Sequence, residues 1–201
     1  MNYGSSLAVD MLPSSCWKTT LDSCISKADD KRIRLGVRQR CQNRCQLCQE
    51  QEDPQLGIYL GVHPRYEFTE GRQILRRLMG VCSTCQAAIE FGQSQSCRSD
   101  KFRLDEHTKL HLQHVNGWTP QQTQQHIQQA FALWEARSRL SWTLDLSIVE
   151  AAGVPVVLPT AEQRQKAGVN LDTMDVPDSV SKLLAAISEA TSGSASASRV
   201  A

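Results

Sequence analysis

Cys45-Gln46-Leu47-Cys48 and, after 33 intervening residues, Cys82-Ser83-Thr84-Cys85 decide how this chain folds. A two-residue gap lets both thiolates of a tight turn reach one ion, and two such turns complete a tetrahedron with bonds of about 2.3 Å. The spacing predicts a closed four-sulfur site for a structural zinc ion, with no position left for a catalytic water. Metal binding would then be coupled to folding: apparent energies of about 10–16 kcal/mol in small zinc modules rival the whole stability of an ordinary domain. The alternative is four unligated thiols in ordinary turns. A thioredoxin-like redox role needs one pair in a βαβ setting, which the surrounding sequence does not provide.

The chain has 201 residues and eight cysteines, with 40% hydrophobic, 21% charged and 5% aromatic residues. One main domain with a modest core is expected. No run approaches 18 consecutive apolar residues, and the N-terminus lacks the basic start and apolar stretch of a secretory signal, so the expected setting is cytoplasmic, without membrane contact. In a reducing compartment the paired cysteines read as metal ligands rather than as a disulfide framework. Cys16, Cys24, Cys41 and Cys97 lack the paired spacing and read as buried core thiols.

Between the pairs, residues 58–62 and 65–68 have strand character and suggest a two-stranded hairpin, with Gly57, Gly61 and Gly71 as punctuation. Residues 72–79 read as a helical turn or connector, and 86–91 as a short helix ended by Gly92. Upstream, Ser26 or Asp29 can cap a helix through Arg40 that carries Ile33, Val37 and Cys41 on one face. Downstream, residues 104–115 form a helix ended by Asn116 and Gly117. Thr119-Pro120-Gln121-Gln122 then makes a capping-box start for a helix bearing Ile127, Ala130, Phe131 and Trp134. Trp142, Leu144, Leu146 and Ile148 alternate as in a strand, and 154–159 is extended. The fold class expected is α+β, mostly helical, with a zinc-stapled ββα module embedded in helices.

Three segments follow: a lead-in and helix over 1–40, the zinc-stapled module with its C-terminal helices over 41–158, and a tail over 159–201. In the tail, Val180, Leu183, Leu184 and Ile187 mark a short amphipathic helix that could dock on the main domain or on a protein partner, and the Ser- and Ala-rich end from Thr191 is expected to be disordered.

The formal charge of +1 hides a gradient. Residues 31–109 carry fourteen Lys or Arg against nine Asp or Glu, while both flanks are acidic. Lys31, Arg32, Arg34, Arg38, Arg40 and Arg44 precede any acidic residue up to Glu50, a concentration that could meet nucleic-acid phosphate by releasing counterions. A solvated helix face is the plainer reading. His107, His111 and His114 lack an accompanying acidic metalloprotease motif and read as a solvated cluster.

The order Cys45-Gln-Leu-Cys48, His63 after a short strand, Val81-Cys82-Ser-Thr-Cys85 and a helix ending in Phe91-Gly92 resembles a zinc-stapled HNH (ββα-metal) nuclease module. The likeness extends to Ser15-Cys16-Trp17, to Val115-Asn116-Gly117-Trp118 and to the run from Ala130 through Ser138 and on to Asp145, similar to bacterial and mobile-element HNH endonucleases, and covers roughly residues 11–158. The resemblance implies a general-base histidine at the end of the first strand, here His63, and a helix after the second pair whose histidines hold a catalytic divalent ion. Gln86 and Glu90 occupy those helix positions, and Pro64 follows His63 where the family has an acidic residue or a second histidine. Glu90 could still bind Mg²⁺ or Mn²⁺ through oxygen, whereas Gln86 is a weak neutral donor. The resemblance therefore implies a nuclease-derived, nucleic-acid-binding module, DNA foremost, with catalysis weakened or lost. The alternatives are an active metal-dependent endonuclease using His63 and Glu90, and a protein-interaction module.

Overall fold

The centre of the molecule is a long antiparallel hairpin over residues 60–82, which buries alternate side chains at Leu60 and Val62 on one strand and at Gln73 and Leu75 on the other. The computed structural model describes residues 6–91 and 101–160. Strand β1 (Leu60–Thr69) pairs with β2 (Arg72–Cys82) through a turn in which Glu70 and Gly71 both take positive φ, and a third strand, β3 (Thr143–Asp145), joins the far side of β2 in parallel, giving the order β1-β2-β3. The helices are α1 (Leu21–Cys24), α2 (Lys27–Arg40), α3 (Ser83–Ile89), α4 (Lys101–Asn116), α5 (Pro120–Ser138) and α6 (Ser147–Glu150). The fold is mixed α+β, as expected.

Two expectations between the cysteine pairs are corrected: 58–62 and 65–68 are not the two arms of a hairpin, and 72–79 is not a helical turn or connector. Residues 72–79 form no helical turn; they are the second hairpin strand, paired with the whole of β1, which runs unbroken from Leu60. The misleading signal is physical: the register passes from Arg65↔Arg77 to Tyr66↔Leu75, so Arg76 is an extra residue in a β-bulge that resets the alternation and gives Ile74, Leu75, Leu78 and Met79 a helix-like spacing. Pro64 is tolerated inside β1 because β1 is an edge strand. The strand expected over 142–148 ends at Asp145, and the chain turns into α6, leaving Ile148 half exposed.

Two cores pack against the hairpin. One joins Leu60, Met79 and Val81 with Ala88 and Ile89 of α3, Leu112 of α4, Ile127 and Phe131 of α5, and three of the four paired cysteines. The other joins Tyr66 and Leu75 with Leu21, Cys24, Leu144, Leu146, Val149 and Val154. Cys16 and Cys24 are fully buried, as expected of core thiols, and Cys41 is half-buried, with its thiol donating to the Arg38 carbonyl at 3.3 Å.

The lead-in segment ties the helices together. The Leu7 amide donates to Asn116 Oδ1 at 2.9 Å while Asn116 Nδ2 donates back to the Leu7 carbonyl at 2.7 Å, the Val9 amide donates to His126 Nε2, and the Asp10 amide donates to the Ile89 carbonyl. The Trp17 and Trp134 indoles both donate to the Leu12 carbonyl. Ser26 caps α2 and the Thr119–Gln122 box caps α5, as read from the sequence. Among the described residues no helix is long and apolar enough to cross a membrane. Gly92, Cys97, the tail stripe of Val180, Leu183, Leu184 and Ile187, and the end from Thr191 lie outside the described residues.

Candidate metal centre and adjoining groove

The first cysteine pair sits in a loop closed on itself by backbone bonds. Beyond α2, Gln42 and Asn43 take positive φ and reverse the chain; the Cys45 amide donates to the Glu50 carbonyl at 2.8 Å, and the Gln49 amide returns to the Cys45 carbonyl at 3.0 Å. Gln49, at φ 65, turns the chain just past Cys48. This loop is clipped to the hairpin twice, by the Gln46 amide on the Gly80 carbonyl and the Gly80 amide on Gln46 Oε1, both at 2.9 Å. Gly80 permits the approach: a Cβ there would lie 2.5 Å from Cys41 Sγ.

The second pair begins α3. Cys82 is its N-cap, with Sγ accepting from the Cys85 amide at 3.4 Å, so the β2-to-α3 junction that caps the helix also turns both sulfurs inward. The ligand atoms of Cys45, Cys48, Cys82 and Cys85 all lie within 4.8 Å of one another, and Cys48 Sγ is 3.6 Å from Cys82 Sγ. A sulfur tetrahedron with bonds of about 2.3 Å has edges near 3.8 Å, so the four thiols fit a tetrahedral metal ion with little adjustment. Cys45 and Cys85 are fully buried and Cys82 is 3% exposed, which closes the cluster to solvent on three sides.

The sulfurs polarise one another. Hydrogen bonds from Cys82 and Cys85 hold the Cys45 thiol far below its ordinary range, while burial pushes Cys48 up to about 12. The bond to Cys45 raises Cys85 strongly. A dication at the centre would displace the shared protons and leave four thiolates.

One neighbour overturns its reading from the sequence. His111 of α4 is half-buried rather than solvated, and its Nε2 lies 3.1 Å from Cys85 Sγ, while His107 and His114 are exposed. Burial lowers the His111 pKa and favours a neutral ring, which as the Nε2–H tautomer donates to the sulfur. Helical spacing places 107 and 111 on one face, but only the packing of α4 on α3 brings 111 to the cluster. His111→Ala is expected to keep stoichiometric metal and to release it to a chelator about ten-fold faster or more, the usual cost of losing such a supporting bond. Unchanged release kinetics would remove His111 from the site.

On the other side of α3 lies a cleft of about 380 Å³ whose walls include His63, Gln86, Glu90, Asp10, Asp30 and Arg34. His63 lies within β1, opposite Met79, rather than at the strand's end. Its Nδ1 is buried, has no hydrogen-bond partner among the described residues, and stands 3.5 Å from Glu90 Oε1. Gln86 Nε2 donates to the same oxygen at 3.2 Å, and Gly61 makes room for it, since a Cβ there would lie 2.8 Å from Gln86 Oε1. The structure thus brings together His63, Gln86 and Glu90, the three positions singled out by sequence. Among the described residues, the four cysteines are the group of three or more His, Cys, Asp or Glu whose ligand atoms converge on a common point.

The basic run is partly engaged in holding α2 in place. Arg34 pairs with Asp30 at 2.7 Å and reaches the Val62 carbonyl, Arg38 pairs with Glu52 at 2.5 Å, Arg40 donates to the Leu78 carbonyl, and Arg44 donates to the Gln49 carbonyl. Arg32 forms an exposed pair with Asp29, and Lys31 is exposed. Exposed pairs of this kind contribute about 0–1 kcal/mol and are readily exchanged for phosphate. Arg34 is the member of the run that lines the His63 cleft.

No protein family, no curated protein and no solved structure matches the chain.

Proposed function

We propose that this chain is a zinc-stapled, HNH-like ββα module that binds nucleic acid, DNA foremost, with nuclease chemistry weakened or lost. The observation that carries the reading is the juxtaposition of His63 on β1 with Gln86 and Glu90 on α3, beside a four-sulfur cluster that fixes the hairpin-to-helix junction. The closeness of His63 to Glu90 and Gln86 supports reading His63 as a former base beside a former ion site, one of whose positions now carries an amide. The metal of the sulfur site is taken as zinc, from the tetrahedral four-thiolate donor set. Its role is structural, since four sulfurs leave no open position. Free thiols in this number suit a reducing cytoplasmic setting. Within the proposed division, residues 41–158 hold the module, 1–40 the lead-in and first long helix, and 159–201 a tail that could serve a protein partner.

The 3.5 Å approach of His63 to Glu90 favours one second reading, a residual Mg²⁺- or Mn²⁺-dependent endonuclease. Glu90 would hold the ion, and His63 would take a proton from the water that attacks the phosphodiester. One experiment separates the two. Purified protein is incubated with supercoiled plasmid and either ion, alongside His63→Ala, while binding to a labelled duplex is followed at low salt. Salt-sensitive binding without nicking supports the leading reading. Nicking that disappears in His63→Ala supports the enzyme. Absence of binding in the wild type at low salt overturns the nucleic-acid reading. A charge-reversed Arg32, Arg34, Arg38 and Arg40 variant, each changed to Glu, is expected to bind more weakly if α2 contributes to the interface.

A further inference from the structure

Four arginines lie on the hairpin, and they fall into two pairs of different character. Arg72 is ion-paired with Asp145, and Arg76, the bulge residue, with Glu67. Arg65 and Arg77 have no hydrogen-bond or ion-pair partner among the described residues, and they stand directly opposite each other in the register. Directly opposed residues of an antiparallel pair share a face, with Cβ atoms about 4.5–5.5 Å apart, and like charges so placed destabilise a sheet. Both side chains are half-buried, so water screens the repulsion less well than at an open surface. Arg72 and Arg76 are thus neutralised, while the two arginines opposed beside the bulge have no anionic partner among the described residues.

Their neighbours say what would relieve the repulsion. His63 is two residues from Arg65 on the same strand, hence on the same face, with its partner Met79 two residues from Arg77. His63, Arg65, Met79 and Ile89 line a narrow crevice with Asp10, whose carboxylate is directed at Arg137 at 3.4 Å. The bulge sits beside this pair, between Arg65↔Arg77 and Tyr66↔Leu75, and both arginines share the face that carries His63 and Met79. Two planar forks at opposed positions of neighbouring strands suit a tetrahedral oxyanion, which takes paired N–H donors on separate oxygens.

We infer that the opposed Arg65–Arg77 pair is a phosphate-binding site, next to His63 on the hairpin, that seats a phosphodiester of the bound nucleic acid. The inference deepens the proposed function and rests on it for the polymer, while the oxyanion chemistry stands on the arginine pair alone. The pair would fix the strand so that the following phosphate lies at the His63 cleft.

The test uses the full chain with zinc bound and compares wild type with Arg65→Gln, Arg77→Gln and the double variant. Each is titrated with a labelled duplex between about 50 and 200 mM salt, where each lost phosphate contact lowers the slope of log K against log salt by about 1. Each single variant should lose about one unit of slope, and the double variant more than ten-fold in affinity at the lowest salt. The double variant should also melt no lower than wild type, because it relieves a like-charge contact; this separates lost binding from lost folding. In parallel, inorganic pyrophosphate should raise the melting temperature of wild type and leave that of the double variant unmoved. Wild type that binds the duplex with a slope shared by the double variant overturns the site and leaves the nucleic-acid reading intact. Wild type that ignores the duplex, but responds to pyrophosphate through these arginines, overturns the nucleic-acid reading and supports the site. Insensitivity of both ligands to the substitutions overturns the site.

Discussion

Cys82→Ala is expected to abolish stoichiometric zinc and to unfold the half of the protein built around α3, α4 and α5 at room temperature. Three roles meet in this side chain. It is one of four converging sulfurs, it caps α3, and it packs in the core with Leu60, Val81 and Ile89. The cap alone is worth about 1 kcal/mol. The metal term is larger, about 10–16 kcal/mol in small zinc modules, against a total of about 5–15 kcal/mol for an ordinary domain. Losing the metal therefore outweighs any repacking around an alanine. Circular dichroism on cooling and heating, with metal quantified in the same sample, checks it. Chelation of the wild type should reproduce the loss, and readdition of zinc should reverse it. A Cys82→Ala variant that melts cooperatively within a few degrees of wild type would show that the cysteines do not carry this fold.

Phe131→Ala should have the next largest effect, a loss of about 3–5 kcal/mol with zinc retained at one per chain. Phe131 is 2% exposed on α5 and meets Phe91, just beyond α3, edge to face with centroids 6.3 Å apart, so its removal opens a cavity where α5 rests on the unit that carries the cysteine cluster. The sulfurs themselves lie on the β2-to-α3 junction and the loop after α2, and none is supplied by α5. The paired outcome, a large fall in denaturant midpoint with intact metal content, would separate core packing from coordination as sources of stability. Loss of metal along with stability would show instead that α5 helps form the site.

The two variants also mark what was legible in the sequence. The four converging cysteines were readable because a metal site would impose a local rule, two cysteines per tight turn. The α5 cap at Thr119 and the buried Ile127 and Phe131 were readable for a similar reason: capping and helical periodicity are local. Residues 72–79 were misread because a bulge at Arg76 broke the period-2 pattern that would have declared a strand, and a bulge becomes visible only once the partner strand is known. The strand expected to run on to Ile148 failed at Leu146, where the chain turns to bury Val149 against Tyr66 and Leu75 in the second core.

Sites built across elements were the least legible. His63, Gln86 and Glu90 were found only through their order relative to the cysteines, and their meeting depends on α3 folding back over Gly61. His111 reads as solvated from its sequence because its contact with Cys85 arises only from the packing of α4 on α3. The arginines of α2 stood out as a run, yet several are held by Asp30, Glu52 and backbone carbonyls. The opposed pair of Arg65 and Arg77, twelve positions apart, is invisible until the hairpin register is known. Charge counted along a chain weights every cation equally, whereas ligand binding depends on which of them the fold leaves unpaired.

The most direct measurement is X-ray absorption at the zinc edge on gently purified protein, with the metal quantified per chain. One zinc per chain in a shell of four sulfurs at about 2.3 Å is the result the account predicts. Substoichiometric zinc, or a first shell containing nitrogen or oxygen in place of sulfur, would contradict it.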